Sequence, residues 1–335
     1  MTAADAAAAL LWLSLTAYAV LGGADFGGGV WDIFASGPRR RAQREAVALA
    51  MGPVWEANHV WLIFMITGLF TAFPIAFSSL GIALYVPITI ALLGIVLRGA
   101  AFAFRAHGRV AVGAQSTWGI VFGGASIITP FFFGAAAAAV ASGAIRISGG
   151  NVVSGSGAGW TTLFAVDIGL LAVALCAYLA AAYLMVETEG ARELQEDFRR
   201  RALVASVVTG ALALLGLWLA YAQAPRVWSD LSGNGLVLML LALVNGPIAL
   251  WSVWRLRPRI ARFAVAAQMA LVLWAWAAGQ WPYLVPPDLT IANAAAPAAT
   301  LDAWLVVISL GLVLVIPALV LLFRVFKAEN PAAQP

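Results

Sequence analysis

Apolar segments long enough to cross a lipid bilayer recur along nearly the whole chain of 335 residues. A spanning helix needs roughly 20 mostly apolar residues. Hydrophobic residues make up 63% of this chain and charged residues only 10%, which is too little charge for a soluble domain of this length. Because backbone polar groups in lipid must be satisfied within their own segment, the segments are expected to be helices. The sequence therefore predicts an all-α polytopic membrane protein.

Nine segments meet the length requirement, and together they predict a single membrane domain over residues 1–335. The Gly/Ser-rich loop at residues 142–159 has four segments on its N-terminal side, so two four-helix bundles plus one extra helix are expected. The expected helices cover residues 6–34, 46–72, 77–105, 114–141, 160–187, 198–222, 234–254, 260–281 and 301–327, each to within a few residues.

The arginines predict the orientation of these helices. Of the nineteen Lys and Arg residues, all except Arg98, Arg146 and Arg226 fall at one side of the nine-helix arrangement. We refer to it as the arginine-rich side. Positive residues accumulate in cytoplasmic loops, so the N-terminus is expected outside and the C-terminus in the cytoplasm. The arginines are then topology signals, and nucleic acid is not expected as a partner.

Two acids and one arginine lie inside the first three segments. Counting about 1.5 Å per helical residue, Asp25, Glu56 and Arg98 lie roughly 14, 15 and 10 Å from the arginine-rich surface. His59 follows Glu56 by three residues and so shares its helix face. Ionisable residues in a membrane segment are costly and typically mark a functional site.

Three interpretations of these residues remain open. Arg98 could form a buried structural ion pair with one acid, in a subunit that serves assembly alone. A proton path from the cytoplasm is favoured because one arginine cannot compensate two carboxylates, which leaves Asp25 or Glu56 able to exchange a proton. The alternative function is a proton-coupled secondary transporter, which a Gly-rich helix and acids within the membrane would suit.

Four segments resemble subunit II of the cytochrome bd-type quinol oxidases. The first two are GGADFGGGVWD, which contains Asp25, and GPVWEANHVWLI, which contains Glu56. The others are IVLRGAAFAFR around Arg98 and WPYLVPPDLTIANAAAP before the last helix. The short chain is more similar to the cyanide-insensitive branch. Glu56 stands where some members have Asp, and His59 where some have Gln.

The resemblance implies a bacterial respiratory-chain oxidoreductase that oxidises quinol and reduces dioxygen to water. It also implies that this chain pairs with a subunit I that carries haem b and haem d. No catalytic residue, metal site or firmly bound cofactor is then expected in this chain. Its two histidines could not ligate three haems. A small single-helix subunit, a structural quinone and membrane lipids are compatible further partners.

The buried polar residues, together with the resemblance, predict roles for individual residues. Asp25, Glu56 and His59 would form a proton path from the cytoplasm, with Arg98 as their charge partner. Dioxygen would reach subunit I through an apolar channel that starts near Trp61 and passes Arg98. The complex would lie in the bacterial cytoplasmic membrane.

Overall fold

A computed structural model describes residues 2–52, 55–107 and 112–328. Pro53 and Val54 of the second motif, and Arg109 of the basic set, lie outside these ranges.

Within the described ranges the chain forms fourteen helices and two short β-hairpins. The helices are α1 Ala3–Ile33, α2 Arg40–Met51, α3 Trp55–Asn58, α4 Val60–Ala72, α5 Pro74–Ala83, α6 Tyr85–His107, α7 Val112–Ser142, α8 Leu163–Glu187, α9 Arg192–Gln223, α10 Pro225–Ser232, α11 Leu236–Trp254, α12 Pro258–Gln280, α13 Ile291–Ala294 and α14 Ala298–Ala328. The hairpins pair β1 Ile147–Ser148 with β2 Asn151–Val152, and β3 Tyr283–Val285 with β4 Leu289–Thr290.

The all-α polytopic class is confirmed. In the described part of the chain, eight helices are long and apolar enough to cross a membrane. The count becomes nine when the bent pair formed by residues 56–72 and α5 is taken as one span. That total equals the number of segments expected from the sequence.

The second expected helix, residues 46–72, does not form one continuous span. Instead α2 ends at Met51, and the chain continues through α3 into α4. Gly52-Pro53 gives the reason, because proline has no backbone N–H and disfavours helical geometry in the residue before it. Helix α2 is amphipathic: it buries Val47 and Met51 and exposes its first arginines. Glu56 and Asn58 therefore belong to a separate short turn at the start of the span.

The third expected helix, residues 77–105, also divides. Helix α5 turns away from the span before it by 118°, and α6 alone is long enough to cross the membrane. The turn falls at Phe73-Pro74, with proline in the first turn of α5, where its missing N–H costs nothing. Because α5 contacts β2 and α13, it lies among the loops opposite the arginine-rich side.

The spans pack as two groups that meet along α1, α7 and α8. The first group contains α1, α4, α6 and α7, and the second contains α8, α9, α11 and α12. Helix α14 packs on α1 and α4 from outside. Contacts between the two groups, α1 with α8 and α7 with α8, are as extensive as those within them, so the division into two four-helix bundles stays a prediction.

Glycines let α1 approach its neighbours at the centre of the molecule. A methyl group at Gly27 would collide with the backbone carbonyl of Cys176 on α8, and one at Gly29 would collide with Ser126 on α7. Small residues allow this kind of backbone approach between membrane helices. The Cys176 thiol, which belongs to the single cysteine of the chain, is buried beside this contact.

The two hairpins join distant loops on the side opposite the arginines. Arg146, just before β1, contacts Asp288 with a nitrogen–oxygen distance of 2.9 Å. The backbone N–H of Ile147 donates to the same carboxylate at 2.7 Å. Nearby, the backbone N–H of Ala296 donates to the carbonyl of Ala72 at the end of α4. The long loop before α14 therefore closes this side of the bundle.

Ion pairs fasten the helix ends at the arginine-rich side. The buried Asp32 at the end of α1 accepts both terminal nitrogens of Arg105 on α6, at 3.0 and 3.1 Å. Arg39, just before α2, contacts Asp197 on α9 at 2.7 Å. The first contact fixes α6 to the end of α1 at the arginine-rich side, and the second fixes the start of α2 to α9.

Candidate functional site

The centre of the candidate site is Asp25 on α1. Its side chain is buried, with 7% exposure, roughly 12 Å along the helix from the end at Ile33. The carboxylate accepts a hydrogen bond of 2.7 Å from the side-chain amide of Asn58. The Asn58 amide also lies 3.5 Å from the carbonyl of Leu21. A charge-assisted bond of this length helps to hold a carboxylate in a place that lacks bulk water.

Arg98 lies beside the same acid, as the sequence predicts. Its side chain is 2% exposed, and its charge interacts with that of Asp25. Its guanidinium carbon lies 5.0 Å from the ring centre of Phe26 and 5.3 Å from that of Phe122, distances typical of cation–π contacts. The aromatic rings and Asp25 together stabilise a positive charge within the membrane.

Glu56 occupies a different environment from the one that the sequence suggests. In this chain its side chain is exposed, and it has no hydrogen bond or ion pair within the described ranges. The helix turn that carries it presents Asn58, not Glu56, to Asp25. The expected arrangement of one arginine between two buried carboxylates is therefore wrong for this chain alone: Arg98 and Asp25 come together, and Glu56 faces outwards.

His59 packs against aromatic rings next to Asp25. Its ring centre lies 5.7 Å from that of Tyr18 and 6.4 Å from that of Phe26, both edge-on. His59 is the one histidine whose side chain the structure describes. No group of three or more His, Cys, Asp or Glu that could hold a metal occurs among the described residues.

A crevice of about 80 Å³ reaches Asp25 between α1, α2 and α8. This volume gives room for several water molecules. Asp25 and Asn58 line one part of it, and Tyr183 and Glu187 of α8 line another. Glu187 is the last residue of α8, at the arginine-rich side. The crevice thus links a carboxylate near the surface with the buried one.

Trp61 lies in the first turn of α4, two residues after His59. It is half-buried and packs against the main apolar core that also contains Phe26 and Phe122. Its backbone carbonyl accepts a hydrogen bond of 2.6 Å from the Ser14 hydroxyl. Apolar core side chains therefore connect the surroundings of Trp61 with those of Arg98.

Sequence reasoning missed Glu187 and Tyr183 as members of the site. Both fall in a segment whose following residues mix acids and bases, which is typical of a solvated connection between helices. Their spacing of four residues, at the arginine-rich end of a span, could have indicated a shared site, because it places the two side chains on one face of α8. The role of Asn58 as the hydrogen-bond donor to Asp25 was also missed, because the nearby Glu56 is the more obvious candidate.

Comparison with known proteins places this chain in a family. The model for cytochrome bd terminal oxidase subunit II matches residues 3–326, nearly the whole chain. The chain belongs to this family. A solved bd oxidase chain from Geobacillus thermodenitrificans shares the fold, with a TM-score of 0.76 and 23% identity over 98% of this chain and 100% of that one. This bd subunit II is therefore a multi-span membrane protein of a terminal oxidase family.

The curated relatives match over different lengths. A putative cytochrome bd menaquinol oxidase subunit II of Bacillus subtilis is 22% identical over 97% of this chain and 95% of its own length. Subunit 2 of a cytochrome bd ubiquinol oxidase from the same organism is 33% identical, but the match spans only 37% of each protein. Subunit 2 of the Escherichia coli bd-I ubiquinol oxidase is 27% identical over 63% of this chain and 56% of its own length. Membership of this family favours the oxidase interpretation over the transporter.

Proposed function

We propose that this chain is the proton-supplying subunit of a quinol:dioxygen oxidoreductase complex. In this complex a subunit I binds haem b and haem d, oxidises quinol and reduces dioxygen to water. In this proposal the chain contributes structural support and delivers protons and dioxygen to subunit I. The names of the relatives support quinol as the electron donor, and they include both menaquinol and ubiquinol oxidases.

The observation that carries the proposal is the crevice between α1, α2 and α8. Protons enter at Glu187 on the arginine-rich side, which we assign to the cytoplasm because positive residues collect there. Water in the crevice carries them past Tyr183 to Asp25. The positive charge of Arg98 interacts with that of Asp25 and partly compensates it within the membrane. The pair is therefore suited to receive and release protons.

Glu56 and His59 belong to the onward part of this path. Glu56 lies two residues before Asn58, so it is close to the depth of Asp25, and its side chain is exposed on this chain. An acid exposed at this depth would be costly in lipid. We infer that subunit I covers this face and that Glu56 passes protons into it, with His59 next to the junction. The acid is then a contact between the two subunits.

Turnover of variants tests the proton path. The complex containing Asp25→Asn is expected to consume dioxygen at least about tenfold more slowly than the wild type. The reason is that a positioned proton-transfer group typically contributes a factor of this order or more. Glu187→Gln is expected to slow turnover in the same direction, with its effect strongest at high pH, where protons are scarce. The measurements are quinol-dependent dioxygen consumption from pH 6 to 9 and the haem absorbance spectrum.

Glu189→Gln is the matched control, because Glu189 is an acid on the same connection that does not line the crevice. It should leave turnover unchanged. Intact haem spectra with normal turnover in Asp25→Asn would contradict the proton path. Loss of the haems in that variant would point to the structural interpretation of the Asp25–Arg98 pair.

Dioxygen is proposed to cross the apolar core between Trp61 and Arg98. A change at Trp61 should then alter the supply of dioxygen and not the chemistry. Trp61→Phe is expected to change the KM for dioxygen several-fold while the turnover at saturating dioxygen stays near that of the wild type. Oxygen-electrode traces at low dioxygen measure this. An unchanged KM would argue that dioxygen takes another route.

A further inference from the structure

An open groove of about 640 Å³ lies between α9 and α11 on the arginine-rich side. Four arginines line it, together with a single acid. That acid, Glu196, is already engaged by Arg199 at 3.0 Å and lies 3.6 Å from Arg200. The groove therefore has a clear excess of positive charge.

Two of the arginines have no acidic partner in the described part of the chain. Arg192 and Arg255 are exposed, and neither forms an ion pair there. The Arg255 guanidinium carbon lies 4.9 Å from the ring centre of Trp254. Both guanidinium groups thus remain available to an anion, and one is held in place by an aromatic ring.

The walls of the groove are firmly connected. Arg199 of α9 donates to the carbonyl of Trp254 at 2.6 Å and to that of Val253 at 3.2 Å, both at the end of α11. The bond to the Trp254 carbonyl satisfies a group at the helix end, whereas the Val253 carbonyl also accepts from the backbone N–H of Leu256 at 3.1 Å. They also connect α9, which begins at Arg192, to the end of α11, which Arg255 follows directly, so the two arginines lie on elements that are fixed to one another.

Apolar side chains continue from the groove along the membrane-facing sides of the same helices. On α9, Val204 and Val208 are 61% and 44% exposed, and on α11, Trp251 and Ile248 are 47% and 48% exposed. Such surfaces suit hydrocarbon chains. Guanidinium groups suit phosphate oxygens, to which they can donate two hydrogen bonds at once. An anion with a phosphate and attached acyl chains matches both parts.

We propose that this groove binds the headgroup of an anionic phospholipid. The phosphate lies between Arg192 and Arg255, and the acyl chains lie along α9 and α11. Basic residues at the end of membrane helices attract anionic lipids in this way. The site is separate from the crevice at Asp25, so it is independent of the proposed proton path.

Native mass spectrometry of the intact complex, with phosphatidylglycerol or phosphatidylcholine added, tests the proposal. The wild-type complex should retain phosphatidylglycerol in preference to phosphatidylcholine. Arg192→Gln combined with Arg255→Gln should weaken this binding roughly tenfold or more, since each arginine near an anionic surface contributes about fivefold. The haem spectrum should be unchanged.

Arg257→Gln combined with Arg259→Gln is the matched control. It removes the same charge from the neighbouring turn, but neither residue lines the groove. Equal weakening in this control would overturn the proposal, because the effect would then be one of general surface charge. Displacement of the lipid by millimolar inorganic phosphate would also overturn it, in favour of a site for free phosphate.

Crosslinking gives a second measurement that needs no variant. A photoactivatable phosphatidylglycerol in vesicles containing the wild-type complex should label the peptide that includes Trp254 and Arg255. Labelling confined to other parts of the chain would contradict the proposed position.

Discussion

At the scale of single residues, Asp25 and Arg98 form a buried pair, whereas Glu56 is exposed on this chain. Asp25 and Arg98 could be identified because a charge within an apolar segment is costly wherever it points. Glu56 could not be placed, because a span that is apolar on nearly every side does not reveal which face turns inwards. For the same reason Asn58 could not be recognised as the donor to Asp25.

Gly27 is expected to tolerate no larger side chain. In Gly27→Ala the added methyl group would meet the carbonyl of Cys176 on α8, so α1 and α8 would have to separate. Overpacking of this kind costs about 1–3 kcal/mol or more. Thermal unfolding of the purified complex should therefore start at a lower temperature. Gly210→Ala is the control, since no atom lies within 4 Å of the position where its methyl group would be. Equal stability of the two variants would contradict the close contact.

At the scale of helices and loops, breaks in the spans were harder to predict than the spans themselves. Hydropathy continues across Gly52-Pro53 and Phe73-Pro74, so each neighbouring segment was long enough to be taken as one helix. The backbone restrictions of proline decide otherwise. The contact between the two loops could not be predicted from composition, because it depends on one ion pair between residues 146 and 288.

The contact between Arg146 and Asp288 should make stability depend on pH. Hydrogen bonds from Arg146 and from the backbone of Ile147 hold the pKa of the Asp288 carboxyl below its usual range. A carboxyl whose pKa is lowered in the folded state stabilises that state above its ordinary pKa of about 3.9, and this contribution is lost as the pH falls further. Asp288→Asn should thus lower the unfolding temperature at pH 7.

The difference between Asp288→Asn and the wild type should shrink as the pH is lowered from 7 to below the ordinary carboxyl pKa of about 3.9, because the wild-type carboxyl then takes up a proton. Asp302→Asn provides a comparison, because Asp302 is an exposed acid at the start of α14. It should change the unfolding temperature little at either pH. A difference for Asp288→Asn that stays constant with pH would show that the ion pair is not its cause.

At the scale of the whole molecule, the all-α polytopic class was the most predictable property, whereas the orientation inferred from the arginines stays a prediction. The length of an apolar segment indicates contact with lipid, and the placement of the arginines indicates contact with water. The packing of α1 against both helix groups depends on particular contacts of small residues, and many glycines in the sequence could have supplied them. The sequence therefore predicts how many helices there are more readily than how they meet.

Orientation can be measured with single cysteines. A membrane-impermeant maleimide applied to intact cells should label Ser156→Cys, in the loop opposite the arginines. It should label Ser36→Cys, next to α2, only after the membrane is opened. Both positions are exposed in this chain. The reverse pattern would place the arginine-rich side, and with it Glu187, outside the cell.

The burial of Cys176 between α1 and α8 has a practical consequence for such work. The chain has one native thiol, and it is buried, with 5% of the residue exposed. A reagent in water or in the outer lipid layer cannot reach it while the helices stay together. The wild-type chain should therefore not react with the labelling reagent while it is folded. Reaction at Cys176 itself would indicate that the two helix groups have separated.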